Sequence, residues 1–472
     1  MAQLVEHIVH IDGVTGSSPV GTTKSSIFGL RIFLSPEGSR TCMKITLGDE
    51  RVIVQGIRPE EKLWGPYQFP APYDLGDRLV VSVHVHDDGI DHWGKTNRWF
   101  ASFDRGRTWQ ETDPSVDAQC GLLLKNGDRI YFPPESAIDL SGYRIPPLTQ
   151  LTPGYDFSKK AAPGELPIQD GLAWYGPTLV RGYLSERLPH DLDQKEWTVK
   201  RVPAGQTAAV TEKAKVDWPF LTRVVHSAGD HHAMKSIFPR GKPKIGPDGA
   251  IWVSCFSGEG HINPSNGQYS PYYSAEIFRS EDNGRTFCRR SHIEYEADGK
   301  EYPYASGGFS DSDFAFMDDG SIIWFLRSNW FITTGYEWAP MYWTRSNDGG
   351  FTWSKPEVFS PVGTLPRVVR LKNGCTLICY ARPGIFIRGC SDGVGREWSD
   401  EVIAMTPGDR SHLANIVQDP PSFHDWDGAC NNPELLPIGD DRALLVYSDF
   451  YYPDAQGVAR KTILCREVIA KK

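Results

Sequence analysis

The chain lacks any apolar run of about 18 residues, the least a membrane-crossing helix needs. Its first residues also lack the charged start, apolar stretch and small-residue cleavage site of a secretory signal. Membrane insertion and ordinary secretion have no support in the sequence, which reads as that of a cytoplasmic protein. Basic runs are missing too: 50 Lys and Arg are interspersed with 59 Asp and Glu, for a formal net charge of -9. Without a cationic footprint for a phosphate backbone or an anionic surface, nucleic acid and membranes are excluded as partners. Cysteine is sparse and unpaired, nine residues scattered from Cys42 to Cys465 with no C-x-x-C spacing, which reads as reduced, mostly buried thiols. No His-x-x-x-His or comparable ligand spacing falls on a plausible helix, so neither a metal nor a cofactor is expected.

What the chain does have is apolar and aromatic material, at 40% and 12% of its 472 residues, and an internal repeat. Six short turns bearing Gly, Asp or Asn each precede a β-rich run, with their glycines at Gly76, Gly127, Gly249, Gly320, Gly374 and Gly439. Asn-Gly and Asp-Gly pairs supply the positive φ angles of tight hairpins at little steric cost, so these predict hairpins between the first and second strands of six similar units. The spacing suits propeller blades, except that Gly127 to Gly249 is about twice the rest. That interval predicts an expanded second blade over about 141–235, with Leu184 to Pro189 and Trp197 to Val202 as its outer strands. A seventh blade hidden there is the less favoured reading, since it has no turn signal of its own.

Residues 1–42 read differently. Met1-Ala-Gln-Leu-Val-Glu-His7 and Gly16-Ser-Ser-Pro-Val20 resemble peptides obtained when a transfer RNA gene is translated, so the segment is set apart as a spurious or disordered extension. The fold is sought in 43–472 as a single domain.

A second repeat runs in phase with the first. Ser102 to Trp109, Ser280 to Phe287 and Ser346 to Trp353 fit S-x-D-x-G-x-T-[WF], and Ser391 to Trp398 is a worn copy with Gly393 where Asp belongs. The Asp accepts hydrogen bonds from turn amides, the Gly takes a left-handed conformation and the aromatic packs between strands. These octapeptides resemble the Asp boxes of the sialidase (neuraminidase) superfamily over nearly all of 43–472. The resemblance implies an all-β, six-bladed β-propeller with its site on the axis, on the face away from the boxes. Ring closure is expected between a strand near Ile45 or Val52 and Thr462 to Val468, leaving no sheet edge open.

That geometry selects candidate residues. The first blade offers His86, Asp88 and Asp91 in one loop, where the resemblance places an acid/base Asp. The third offers His231, His232, Glu259 and Tyr273, with imidazole and phenol suited to proton abstraction or general acid/base work. Asp311 and Asp313 sit on a probable inner strand and, by alternation, share a face, where two carboxylates push each other's pKa apart. Arg327, Arg367 and Arg382 suit bidentate carboxylate binding.

Two departures from the sialidase pattern stand out. Gln68 occupies the place of the first arginine of the carboxylate-binding triad, and Cys430-Asn-Asn-Pro-Glu434 offers no Tyr nucleophile, leaving Glu434 as a carboxylate nucleophile or base. The expected function is a carbohydrate-active enzyme, a sialidase-like glycoside hydrolase on an acidic or deoxy sugar, with an oligosaccharide or polysaccharide as partner. Two other readings stay open: a polysaccharide lyase using His231 or His232 and Tyr273 on a uronate, and a non-catalytic sugar-binding propeller.

Overall fold

A computed structural model of the chain describes residues 43–56, 66–86, 97–133, 138–151, 156, 161–175, 178–184, 187–189, 192, 195–217, 221–227, 231–234, 237–239, 241–257, 261–262, 269–270, 273–294, 308–329, 340–361, 363–381, 384–405 and 432–472. Among these no α-helix occurs, and the strands form six sheets.

Three sheets are four-stranded antiparallel meanders, beginning at Gln68–Asp74, Gly308–Phe316 and Thr364–Arg370. A five-stranded variant contains the last strands, where Arg442–Pro453 pairs with Ala459–Lys471. Two N-terminal strands add to that last strand: Lys44–Leu47 aligns Ile45 with Ala470, and Arg51–Gln55 aligns Val52 with Leu464. Chain start and chain end are therefore fastened in one sheet, as expected.

Apolar seams join five of the sheets in series. Trp252 and Ile277 meet Phe314 and Trp324; Ile323 and Phe325 meet Ile378 and Tyr380; Leu377 and Ile387 meet Leu445 and Leu464. The last sheet then packs on the first, with Leu444, Val446 and Ile463 against Leu79, Val81 and Phe100. Burying these Leu, Ile, Phe and Trp side chains contributes about 1.5–3 kcal/mol each, enough to make the seams the main cohesive element.

The interval after Gly127 resolves into two parts. Leu122–Leu123, Arg129–Tyr131, Glu196–Val202 and Val210–Asp217 form one antiparallel set, joined to Thr286–Glu294 by a parallel pairing of Lys215 with Thr286. Thr178–Leu184 is not part of it. That strand belongs to a separate sheet with Ile138–Asp139, Gly171–Tyr175, Leu221–Ser227 and His232–Met234. His261–Ile262, from a loop of the following repeat, pairs with the same Leu221–Ser227 strand.

The repeat turns differ in detail from expectation. Gly76, Gly127, Gly249, Gly320 and Gly374 all take left-handed φ, between 81° and 93°, whereas Gly439 does not. The residues before them stay right-handed, so the last four of these five are type I turns followed by one left-handed glycine rather than doubly left-handed hairpins. Asn126, Asp248, Asp319 and Asn373 each accept a bond from the amide two residues on, which fixes that form.

The octapeptide turns are held by their carboxylates. Asp104 accepts from Ser102 Oγ, Thr108 Oγ1 and the amides of Arg107 and Thr108, and Asp282 and Asp348 repeat the amide bonds. In the fourth turn the register differs from the sequence alignment. Asp392, not position 393, is the acceptor, taking the Cys390 thiol at 2.8 Å and the amides of Val394, Gly395, Arg396 and Glu397. The turn is one residue longer, and Cys390 stands where the others have Ser.

Candidate functional site

The first strands of three sheets share an irregularity at the end far from the hairpin turn. Between Gln68 and Ala71, between Phe309 and Ser312, and between Thr364 and Arg367, three steps along the first strand face two along its partner. Each is a β-bulge with one extra residue, which bends the strand and re-aims its side chains. Phe69 and Leu365 hold left-handed φ of 48° and 51° there, uncommon for side chains of that size. Each precedes a proline, Pro70 or Pro366, which needs no ladder partner for a missing N–H.

Counted up from the hairpin turns, the fourth ladder position in successive sheets is Ala71, Asp313, Arg367 and Glu434. The polar bonds at this level run from sheet to sheet. Arg367 Nε donates to Glu434 Oε1, and Lys242 Nζ lies 3.7 Å from Glu434 Oε2 while donating to Pro72 O at 2.7 Å. Lys244 Nζ reaches Asp313 Oδ1 at 2.6 Å, Phe314 O at 2.5 Å and Val368 O at 3.0 Å. Above this floor, Arg327 Nη1 donates to Asp311 Oδ2 at 2.8 Å, and Asn432 Nδ2 donates to Gln68 Oε1 at 3.1 Å. Side chains from residues 68 to 434 thus converge at one end of the sheets' first strands. Burial lowers the pKa of the Lys242 ammonium, and Glu434 opposes the effect.

The structure brings together Gln68, Asp311, Asp313, Arg327, Arg367 and Glu434. It separates the roles of Asp311 and Asp313, because the bulge breaks the alternation that would have put them on one face. Asp311 holds Arg327, while Asp313 is committed to Lys244 and to the amides of Phe314 and Val368. Tyr273 is fully buried, its ring edge-on to Phe256 at 5.4 Å, and its carbonyl accepts from Phe309 N. His86 lies beside His84, ring centroids 6.1 Å apart, and His84 in turn meets Phe69 of the first bulge.

The backbone of His232 lies in the separate sheet, aligned with Asp139, and His231 is exposed just before that strand. Asp88, Asp91, Glu259 and Arg382 fall outside the described residues. Lys242, Lys244 and Asn432 were not singled out from sequence. The signal that could have found them is a proline recurring just before the repeat turns, in Phe69-Pro70, Lys242-Pro243, Leu365-Pro366 and Asn432-Pro433. No group of three or more His, Cys, Asp or Glu suited to a metal occurs among the described residues.

No family model matches the chain, and no curated protein does. Among solved structures, a protein of unknown function from Dyadobacter fermentans is similar at 15% identity and a TM-score of 0.51, covering 90% of this chain and 99% of that one; the likeness is one of fold alone. The Hadza microbial sialidase Hz136 matches at 12% identity and a TM-score of 0.43, over 85% of this chain and 65% of that one. An α-L-arabinanase of Penicillium chrysogenum matches at 12% and 0.43, over 89% and 98%.

Proposed function

We propose that the chain is a sialidase-like, six-bladed β-propeller with four Asp-box turns, and that the charged convergence at its axis is the active site of a glycoside hydrolase. The succession of apolar seams through five sheets and the fastening of Lys44–Leu47 to the last strand support the propeller. One observation carries the activity: Glu434, a carboxylate in the floor of the cluster, paired with Arg367 of the neighbouring sheet and 3.7 Å from Lys242 Nζ.

Glycoside cleavage needs two carboxyl groups on either side of the bond, one to protonate the leaving oxygen and one to attack or to activate water. Glu434 takes the second part, where sialidases use Tyr; Arg367 and Lys242 hold it in place. Asp88 or Asp91 takes the first, from the loop that follows His86. Arg327 and Arg367 orient the ring, and the substrate is an acidic or deoxy sugar of an oligosaccharide or polysaccharide. The lyase reading loses support from the burial of Tyr273.

A panel of aryl glycosides and uronate polysaccharides tests this, with aglycone release and unsaturated-uronate absorbance followed together. Aglycone release without new unsaturation, lost in Glu434→Gln, is the expected result. Unsaturation alone would establish a lyase, and silence on every substrate would leave a sugar-binding propeller.

A further inference from the structure

The first strands Gln68–Asp74, Gly308–Phe316 and Thr364–Arg370 stand at the ends of their sheets, so each has one edge that its own sheet does not pair. Buried backbone groups on such an edge need other partners, because an N–H or C=O left alone costs about as much as a lost hydrogen bond. At the third position up from the hairpin turn the partners are side chains. Pro72 O accepts from Lys242 Nζ at 2.7 Å, while Phe314 O and Val368 O accept from Lys244 Nζ at 2.5 and 3.0 Å. The amides there are matched as well. Pro72 has none, Phe314 N donates to Asp313 Oδ1 at 2.9 Å, and Val368 N crosses to Asp313 Oδ2 at 2.8 Å. Both backbone groups of Val368 are thus held from other sheets, by Asp313 and by Lys244, which are themselves joined at 2.6 Å.

This clamp sits directly under a strained stretch of backbone. Leu365 and Pro366 together face Tyr380 in the bulge between Thr364 and Arg367, and Leu365 is held at φ 51°, a conformation that persists only where the surroundings enforce it. Arg367 closes the bulge, donating from Nε to Glu434 and from Nη1 to its own Pro366 O. We propose that Asp313 is a positioning residue: with Lys244 it anchors Val368, the strained bulge is held from that anchor, and the Arg367 guanidinium is thereby aimed at Glu434. The inference rests on the reading of Glu434 as the catalytic carboxylate, and it gives the Lys244–Asp313 pair a part in turnover. Asparagine cannot take over at 313. Its one oxygen serves either Val368 N or the side of Lys244 and Phe314 N, and its amide nitrogen then meets a donor on the other side.

The test is a kinetic cycle on the whole chain. Asp313→Asn, Arg367→Met and the double variant are turned over on the substrate that the panel identifies, with rates taken per folded molecule as counted by circular dichroism. The expected result is a kcat about tenfold or more lower in Asp313→Asn with KM little changed, since misplacing a positioned group by about 1 Å costs up to about 100-fold. Because Asp313 acts through Arg367, the double variant falls no further than Arg367→Met alone. An unchanged kcat per folded molecule, with only a lower unfolding midpoint, overturns the inference and leaves Glu434 standing. Losses that multiply in the double variant overturn it too, since Asp313 would then act by another route. If Asp313→Asn does not fold, Lys244→Met carries the same cycle, because it removes the bond to Val368 O and leaves Asp313 its two amides. Silence of the unaltered protein on every substrate overturns the catalytic reading and this inference together.

Discussion

Arg367 and Glu434, 67 residues apart in the chain, form an ion pair between the first strands of two neighbouring sheets, with Arg367 Nε donating to Glu434 Oε1. Both side chains are more than four-fifths buried, so each depends on the other for compensation. Breaking such a pair from one side costs about 3–5 kcal/mol, because the remaining charge stays buried. Arg367→Met is expected to lose that much in denaturant unfolding, and the double variant Arg367→Met with Glu434→Leu to recover part of it. Equal and additive losses would show that the two do not compensate each other.

The same carboxylate is expected to matter more for turnover than for stability when altered conservatively. Glu434→Gln keeps the shape and an acceptor for Arg367, yet removes the negative charge. Its kcat is expected to fall by at least about 100-fold with KM little changed, as for loss of a positioned acid/base or nucleophile. Steady-state kinetics on the substrate found by the panel decides this.

His292 predicts an alkaline dependence of stability. Burial alone would lower its pKa, but the buried Glu276 carboxylate, 2.6 Å from Nδ1, and Glu294, 3.0 Å from Nε2, push it up to about 9. A folded pKa above the ordinary 6.5 means the stabilisation is whole below 6.5 and is lost as pH rises through about 9. Thermal midpoints are expected to fall between those values in the unaltered protein and to stay flatter in His292→Gln. Parallel curves would exclude the pair as the cause.

The turn carboxylates predict the opposite dependence in acid. The Thr352 hydroxyl and amide, with Ser346 and Phe351, hold Asp348 down at about 2. Burial works against Asp392, but the Cys390 thiol and the turn amides hold it also at about 2. Depressed pKa values give stability that is present above the ordinary value of 3.8 and lost as pH falls towards 2. Acid unfolding followed by tryptophan fluorescence is expected to steepen across that range, and Asp392→Asn to shallow it at the cost of lower stability at neutrality.

How much of this was legible in the sequence follows from how local each signal is. Turn glycines and S-x-D-x-G octapeptides act within a few residues, so their places could be read directly; Gly439 and Asp392 were misjudged only in local geometry. Closure of chain start on chain end was legible because alternating apolar runs marked both strands. The bulges were not. A one-residue slip depends on the partner strand, and it decided that Asp311 faces Arg327 while Asp313 faces Lys244. Lys242 was missed for a like reason: its partners lie 170 residues before it and 192 after it, at Pro72 and Glu434. The separate sheet carrying His232 was equally hidden, since nothing in a strand's own residues names its neighbour.

Fastening of the ends carries its own prediction. Removing residues 43–55 strips the two N-terminal partners from Ala459–Lys471 and exposes a long strand edge. Size-exclusion chromatography is expected to show aggregates at concentrations where the full chain elutes as one species. A shortened chain that remained dispersed and kept its melting point would argue against closure by these strands.

The account stands or falls on where a sugar sits. A crystal structure with the glycan product bound is predicted to show the ring over the axial cluster, its atoms within hydrogen-bonding reach of Arg367, Glu434 and Lys242. A productive sugar seated on the separate sheet around His232, or on any surface remote from those three residues, would contradict it.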